Sequence, residues 1–291
     1  MSMNHAIQVA RAYNELTKPR LSFLSVVSGL VGYAVAPAPF SWSVFIGLSV
    51  GMGLAAGSAA TLNEWMEYER DALMERTRTR PIPSGRVRPR SAFWFGLVIG
   101  TLGLVVLELT TTSLAALLTL LTLVSYLLVY TPAKAVTPWC TALGTIPGAL
   151  PPAIGWAASE GSVGLEAALL FLAMVAWQIP HFMAIAWTYR GDYARAKLPM
   201  ISVVDATGKS AAIQSLVFSI LLLITISGFV LIGLAGYRFG FLGFLMSGAM
   251  LYLCIRFLFP NDREVWAKRL FFFTLIYLPV VFGSLVIDVI Y

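Results

Sequence analysis

The sequence predicts an all-α, polytopic membrane protein built as a bundle of about nine transmembrane helices. Of its 291 residues, 58% are hydrophobic and only 12% are charged, and the mean hydropathy is +0.81. A soluble domain carries about 25% charged residues, so half of the expected charge is missing. The apolar runs are continuous rather than alternating, which excludes a transmembrane β-barrel.

Stretches without charged residues predict the number and order of the spans, at about 20 residues for each crossing. The 43 positions between Arg20 and Glu64 carry no charge and are predicted to hold two spans. The other seven spans are predicted within residues 91–132, 135–189, 210–255 and 270–291. Because proline, glycine and short polar residues end helices, the turns between paired spans are predicted at residues 37–39, 110–113 and 159–164 and near Gly236.

The chain is predicted to be one membrane domain, residues 1–291, that begins with a cytoplasmic arm over residues 1–20. The first span lacks a clear signal-peptide cleavage site, and the arm is too short and mixed for a transit peptide, which favours a bacterial or archaeal plasma membrane over a mitochondrial one. Cys140 and Cys254 lie far apart in apolar surroundings, which excludes a disulfide scaffold and a cysteine-based metal site.

The basic residues predict the orientation of the chain. Of the 20 lysines and arginines, all except Arg238 fall in segments that share one side of the membrane with the N-terminus. The positive-inside rule therefore places the N-terminus in the cytoplasm and the C-terminus outside. The formal net charge of +6 then reflects membrane orientation and not nucleic-acid binding.

The first polar segment, residues 63–91, follows the second predicted span. Asn63, Glu67 and Asp71 have the spacing i, i+4, i+8, which puts them on one helix face. Oxygen ligands of this kind suit a Mg²⁺ ion that is bound to a diphosphate. The arginines that follow can bind the diphosphate oxygens through charge-assisted hydrogen bonds; these arginines are Arg76, Arg78 and Arg80. A loop that only sets topology or attracts anionic lipid explains the arginines alone, but not the acidic residues ahead of them.

The second polar segment, residues 188–209, follows the sixth predicted span and mixes acid and base through Arg190 and Asp192. The two segments could therefore share one anionic ligand, each with a carboxylate for the metal. Gln178 and His181 lie deeper in the span, where polar side chains are costly and are candidates for function. An interhelical hydrogen bond explains His181 equally well.

Two further features have an ordinary explanation beside a functional one. Lys134, in the short loop between the fourth and fifth spans, is most simply a snorkelling anchor. The proline- and glycine-rich run over residues 144–152 permits close helix packing or a kink, and it would also widen a cavity for a flat ligand.

In combination, these segments resemble the UbiA superfamily of intramembrane prenyltransferases, and in detail its branch of protoheme IX farnesyltransferases, or heme O synthases. Residues 63–86 resemble the first signature of that branch, and residues 177–193 resemble the second. Shorter matches lie at residues 16–20, 130–134 and 147–156. Glu67 stands where many members have aspartate, which preserves the ligand type, and no functional residue is identified beyond residue 209.

The resemblance implies transfer of a farnesyl group from farnesyl diphosphate to a vinyl group of protoheme IX, or heme B. The products would be heme O and diphosphate, formed through Mg²⁺-assisted ionisation to an allylic carbocation. The implied catalytic residues and Mg²⁺ ligands are Asn63, Glu67, Asp71 and Asp192. The implied diphosphate-binding residues are Lys18, Arg20, Arg76, Arg80, Lys134 and Arg190. The implied heme-binding residues are Gln178, His181, at the iron or a propionate, and Tyr193.

The implied cofactor is Mg²⁺, while heme B and farnesyl diphosphate are substrates. The implied partners are the lipid bilayer and a downstream heme A synthase or oxidase assembly factor, without nucleic acid. The active site would face the cytoplasm.

Other functions stay open at this point. A UbiA-type enzyme that prenylates a quinone precursor or a chlorophyll-type ring would be expected to carry a D-x-x-x-D pattern in the second segment. This chain has the single acid Asp192 there. A transporter of anionic lipid or phosphate would show inverted repeats and paired broken helices. A structural membrane protein would leave the acid–base segments unexplained.

Overall fold

The computed structural model describes residues 3–290, and within that range the backbone forms thirteen α-helices and no strand. In chain order the helices are α1 (Met3–Leu16), α2 (Pro19–Ala34), α3 (Trp42–Asp71), α4 (Pro89–Thr110), α5 (Ser113–Val124), α6 (Thr131–Ala133), α7 (Cys140–Glu160), α8 (Leu165–Thr188), α9 (Arg190–Arg195), α10 (Ile201–Val204), α11 (Lys209–Leu231), α12 (Tyr237–Phe257) and α13 (Arg263–Ile290). A π-helical segment, Ser125–Tyr130, joins α5 to α6, and a 3₁₀ turn, Pro260–Asp262, precedes α13.

The predicted turns lie at helix boundaries. Residues 37–39 separate α2 from α3, residues 110–113 separate α4 from α5, and Gly236 directly precedes α12. Thr112 caps α5, because its hydroxyl accepts a hydrogen bond from the backbone N–H of Ala115 at 3.2 Å. The first two residues of the predicted arm and Tyr291 at the end of the predicted ninth span lie outside the described residues.

Seven helical segments of the described chain are long and apolar enough to cross a membrane. They are Trp42–Asp71, Pro89–Thr110, Ser113–Ala133, Leu165–Thr188, Lys209–Leu231, Tyr237–Phe257 and Pro260–Ile290. Helix α2 has only 16 residues, fewer than the roughly 20 of a full crossing, and α7 contains three prolines. Length and composition therefore support seven of the nine predicted spans.

Helices α2 and α7 pack with their backbones almost in contact. A Cβ at Gly32 would overlap the carbonyl of Pro152, and a Cβ at Gly155 would overlap the carbonyl oxygen of Gly29. Small residues permit such close approach between helices in a membrane. The proline- and glycine-rich run stays helical, so the structure supports the packing explanation for it.

Two apolar cores lie side by side in the bundle. The first, around Leu48 and Ile154, lies among α2, α3, α4, α5 and α7. The second, around Phe229 and Tyr277, lies mainly among α8, α11, α12 and α13. Helices α7, α8 and α13 meet between them, where Phe282 packs with residues of both neighbouring helices.

Short elements cover the end of the bundle at which α3 ends and α4 begins, which we call the polar end. Helix α1 lies here, and its Ala12 and Leu16 pack on Ile82 and Val87 of the segment between α3 and α4. The sequence pattern did not predict this helix. Helices α9 and α10 lie in the second polar segment, so both polar segments are brought to one end of the molecule.

Candidate functional site at the polar end

The last turns of α3 carry three buried polar side chains on one face. Asn63, Glu67 and Asp71 are each less than a tenth exposed, and α3 continues without a break to Asp71. The amide nitrogen Nδ2 of Asn63 donates to Oε2 of Glu67 at 2.8 Å. The i, i+4, i+8 spacing therefore produces the shared helix face that it predicts.

Each of the two carboxylates on this face is paired with a cation from outside α3. Nζ of Lys134 lies 2.9 Å from Oε2 of Glu67, and a guanidinium nitrogen of Arg80 lies 2.6 Å from Oδ2 of Asp71. Lys134 thus points into the bundle, so the snorkelling interpretation of this residue is wrong. The reason is physical: Glu67 is buried next to it, and a buried carboxylate needs a partner.

Three neighbouring polar residues that the sequence did not single out hold this arrangement. Thr131, which follows the π-helical segment, accepts a hydrogen bond from Nδ2 of Asn63 at 3.1 Å. Glu64 is buried and accepts from the backbone N–H of Ile82 at 3.2 Å, while the Thr77 hydroxyl donates to the carbonyl oxygen of Asp71 at 2.8 Å. The segment after α3 is therefore folded back over the end of the helix.

Lys18 lies at the edge of this cluster, immediately before α2, and its backbone is left-handed with φ 45°. Burial lowers the pKa of Lys18 to about 8, and the positive charges of Arg80 and Lys134 act in the same direction. Lys18 is thus electrostatically part of the cluster, whereas Arg20 is exposed on the first turn of α2.

The second polar segment reaches the first through charged and aromatic contacts. Asp192 is paired with Arg195, and the same arginine lies 3.6 Å from Oε2 of Glu75 in the first segment. The guanidinium of Arg76 lies over the ring of Tyr189 at 5.2 Å. The predicted metal ligand Asp192 therefore approaches the first segment by way of Arg195, without a direct bond to the α3 face.

Apolar packing joins the same two segments. Tyr193 packs against an apolar cluster that contains Met74 of the first segment and Cys140 at the start of α7. Arg190 points toward α13: its guanidinium lies 4.5 Å from the centre of the Trp187 ring and 3.4 Å from Oε2 of Glu264. Tyr193 is thus close to the first segment, and Arg190 is engaged with Trp187 and Glu264.

His181 and Gln178 lie deeper along α8 and face different neighbours. Nδ1 of His181 lies 2.8 Å from the hydroxyl of Thr274 on α13. Nε2 of Gln178 donates to the carbonyl oxygen of Met174, and its side chain lies against Gly148 of α7. The sequence-predicted pair is therefore split between two helix interfaces.

The α3 face has the donor types that Mg²⁺ prefers. Asn63, Glu67 and Asp71 offer amide and carboxylate oxygens, and Mg²⁺ in proteins takes few such ligands and fills its other positions with water and phosphate. Among residues 3–290, no three His, Cys, Asp or Glu side chains cluster as a metal site. By donor type, this set fits Mg²⁺.

The sequence matches the model of the UbiA prenyltransferase family over residues 25–276. The chain belongs to the UbiA prenyltransferase family. It is 45% identical over 276 residues to the protoheme IX farnesyltransferase of Opitutus terrae, and the alignment covers 95% of this chain and 94% of that protein. It is 38% identical over 289 residues to the protoheme IX farnesyltransferase of Solibacter usitatus, and that alignment covers 96% of this chain and 98% of the relative.

Solved structures show the same UbiA fold. A structure of digeranylgeranylglyceryl phosphate synthase superposes with a TM-score of 0.79 at 16% identity and covers 97% of this chain and 99% of that one. A UbiA homolog from Archaeoglobus fulgidus bound to GPP and Mg²⁺ superposes with a TM-score of 0.63 at 15% identity, covering 94% and 99%. At these identities the likeness establishes the all-helical membrane fold.

Proposed function

We propose that this protein transfers the farnesyl group of farnesyl diphosphate to a vinyl group of protoheme IX and so makes heme O and diphosphate. The observation that carries the proposal is the identity of 45% to a protoheme IX farnesyltransferase over 95% of the chain. The buried polar face of α3 supports it, because carboxylates and cations suited to Mg²⁺ and diphosphate converge there.

The α3 face is proposed to hold the metal and the leaving group. Asn63, Glu67 and Asp71 would bind Mg²⁺, with Asp192 completing the set from the second polar segment. When bound, Mg²⁺ supplies positive charge that stabilises the departing diphosphate. The Mg²⁺-bound UbiA homolog supports this choice of metal.

The surrounding cations are proposed to stabilise the charge that develops on diphosphate as the carbon–oxygen bond breaks. Lys134 and Arg80 already lie at the α3 face, and Lys18 shares its electrostatic environment. The other proposed diphosphate contacts are Arg20, Arg76 and Arg190. Lys134 and Arg80 are held at the α3 face before the substrate arrives, so these two cations need little reorganisation at the moment of ionisation.

The allylic carbocation then needs an apolar surrounding and a nucleophile. A small apolar cavity of about 40 Å³ lies along α3, lined partly by Ala55, Ala59 and Leu123. The vinyl carbon attacks the cation and a water oxygen adds to the adjacent carbon with loss of a proton, which gives a hydroxyethylfarnesyl group. His181, Gln178 and Tyr193 are the proposed contacts to heme.

The topology is also a proposal: nine crossings in one domain, with the N-terminus in the cytoplasm, the C-terminus outside and the polar end facing the cytoplasm. The tight packing of α2 against α7 supports two crossings beyond the seven long apolar helices, because both lie within the same bundle. The basic residues at the polar end support the orientation, in a bacterial or archaeal plasma membrane. Because the farnesyl tail makes heme O lipophilic, a downstream heme A synthase or oxidase assembly factor would receive it within the membrane.

Acceptor competition tests the proposed reaction. Purified protein, reconstituted into lipid vesicles, is given external radiolabelled farnesyl diphosphate, Mg²⁺ and equal amounts of heme B and 4-hydroxybenzoate. We expect the label in the heme fraction alone. Label on the aromatic acid would indicate a quinone-precursor enzyme, and label that crosses a vesicle membrane unreacted would indicate a transporter.

A further inference from the structure

One residue of α13 fixes two rings of α8. The hydroxyl of Thr274 lies 2.8 Å from Nδ1 of His181, and the carbonyl oxygen of Thr274 accepts a hydrogen bond from Nε1 of Trp177 at 3.0 Å. The two rings are stacked, with centroids 5.1 Å apart and planes 16° apart. Thr274 is fully buried, so neither bond competes with water.

The position of the Thr274 hydroxyl hydrogen follows from its second bond. The hydroxyl oxygen lies 2.6 Å from the carbonyl oxygen of Phe271, and two oxygens approach this closely only with a hydrogen between them. A threonine hydroxyl has one hydrogen, so that hydrogen is used by Phe271. Toward His181 the hydroxyl oxygen can only accept, and Nδ1 of His181 must therefore carry the proton.

The other ring nitrogen is then left with a free electron pair. Nε2 of His181 makes no hydrogen bond within residues 3–290. It is also absent from the fully buried side-chain atoms without a partner in that range, so it is not completely enclosed by the protein. The neighbouring rings are those of Trp177, Phe182 and Phe271. None of these side chains carries a negative charge that could balance a positive charge on His181. A second proton would leave an uncompensated charge at membrane depth, which is costly.

We propose that Thr274 is a positioning residue that holds His181 in the Nδ1–H form, so that Nε2 coordinates the iron of the porphyrin substrate. This inference rests on the proposed function and decides between the two heme contacts that the sequence leaves open. A nitrogen lone pair repels a propionate carboxylate but binds iron, and metal-binding histidines donate their other N–H to a fixed acceptor in this way.

The tautomer can be measured without any substrate. The chain has only two histidines, His5 and His181, so ¹⁵N-histidine labelling in a His5→Gln background gives the ring signals of one residue. We expect a protonated Nδ1 and an unprotonated Nε2. Thr274→Val, which removes the acceptor at nearly constant volume, should mix the two tautomers, and Thr274→Ser should restore the first. A protonated Nε2 in the wild type, or an unchanged Thr274→Val spectrum, would overturn the assignment.

Iron coordination is measured by titrating ferrous heme B into the protein without farnesyl diphosphate and recording resonance Raman spectra. We expect an iron–histidine band that is lost in His181→Ala, and a roughly 10–100-fold weaker heme affinity in Thr274→Val that Thr274→Ser recovers. The KM for farnesyl diphosphate should stay unchanged, whereas a purely structural loss would affect both substrates. An iron–histidine band that persists in His181→Ala would refute the proposal.

These readouts separate this inference from the proposed reaction. Iron coordination by His181 without farnesylated product would contradict the reaction and leave the coordination established. Farnesyl transfer at the wild-type rate by His181→Ala would contradict the coordination role and leave the reaction established.

Discussion

Replacing Asp71 by asparagine tests the α3 site, because the change removes the charge and keeps the shape and an acceptor oxygen for Arg80. Breaking a buried ion pair by removing one partner costs about 3–5 kcal/mol. The side chain of Asp71 is 2% exposed, but that of Arg80 is 23% exposed, so water recovers part of the guanidinium's solvation. We therefore expect a loss of about 2 kcal/mol in the free energy of unfolding.

The effect on turnover should be larger than the effect on stability. Asp71 is proposed to bind Mg²⁺ at the leaving group, where charge develops in the transition state. Loss of one such preorganised contact lowers kcat by about 10²–10³-fold in enzymes. We expect a decrease of that size in the rate of diphosphate release by Asp71→Asn.

Two assays and one matched control make this prediction sharp. The only cysteines, Cys140 and Cys254, are both buried, so a thiol-reactive dye reports unfolding in detergent as they become accessible. Glu69→Gln removes the same charge from an exposed position on the same helix and should change neither stability nor turnover. Wild-type turnover by folded Asp71→Asn, or an equal loss in both variants, would refute the role of the α3 face.

Three further predictions address charge, packing and metal. The kcat/KM for farnesyl diphosphate should fall as pH rises through about 8, where Lys18 loses its ammonium charge, and Lys18→Arg should move that fall to higher pH; an identical profile in both proteins would contradict the role of Lys18. Gly155→Ala should lower the unfolding temperature because its Cβ would overlap the Gly29 carbonyl oxygen, whereas Gly248→Ala, which faces open space, should not; equal unfolding temperatures would contradict the close packing. Removal of divalent cations with EDTA should stop diphosphate release, and added Mg²⁺ should restore it; release that continues in EDTA would exclude a metal role.

The sequence alone predicts the features that depend on local spacing. Stretches without charge indicate the apolar spans, and proline, glycine and polar residues indicate the turns between them. The four-residue spacing of Asn63, Glu67 and Asp71 predicts the shared face of α3. These features follow from helix periodicity and from the cost of charge in lipid, which act within a few residues.

The features that depend on tertiary contacts could not be predicted in this way. Lys134 has the same sequence context whether its side chain snorkels to the surface or points inward. Only the ion pair with the buried Glu67 shows that it points inward. Thr274 is an unremarkable residue in an apolar helix, 93 positions away from His181. The ion pair of Arg190 with Glu264 joins residues 74 positions apart, so the sequence gives no sign of it.

The mass of the porphyrin product tests the proposed reaction most directly. Purified protein is incubated with heme B, farnesyl diphosphate and Mg²⁺, and the heme is then extracted and measured by mass spectrometry. We predict a heme that is heavier by one farnesyl group and one hydroxyl group, in proportion to the diphosphate released. Heme B of unchanged mass, recovered while farnesyl diphosphate is consumed, would contradict the account.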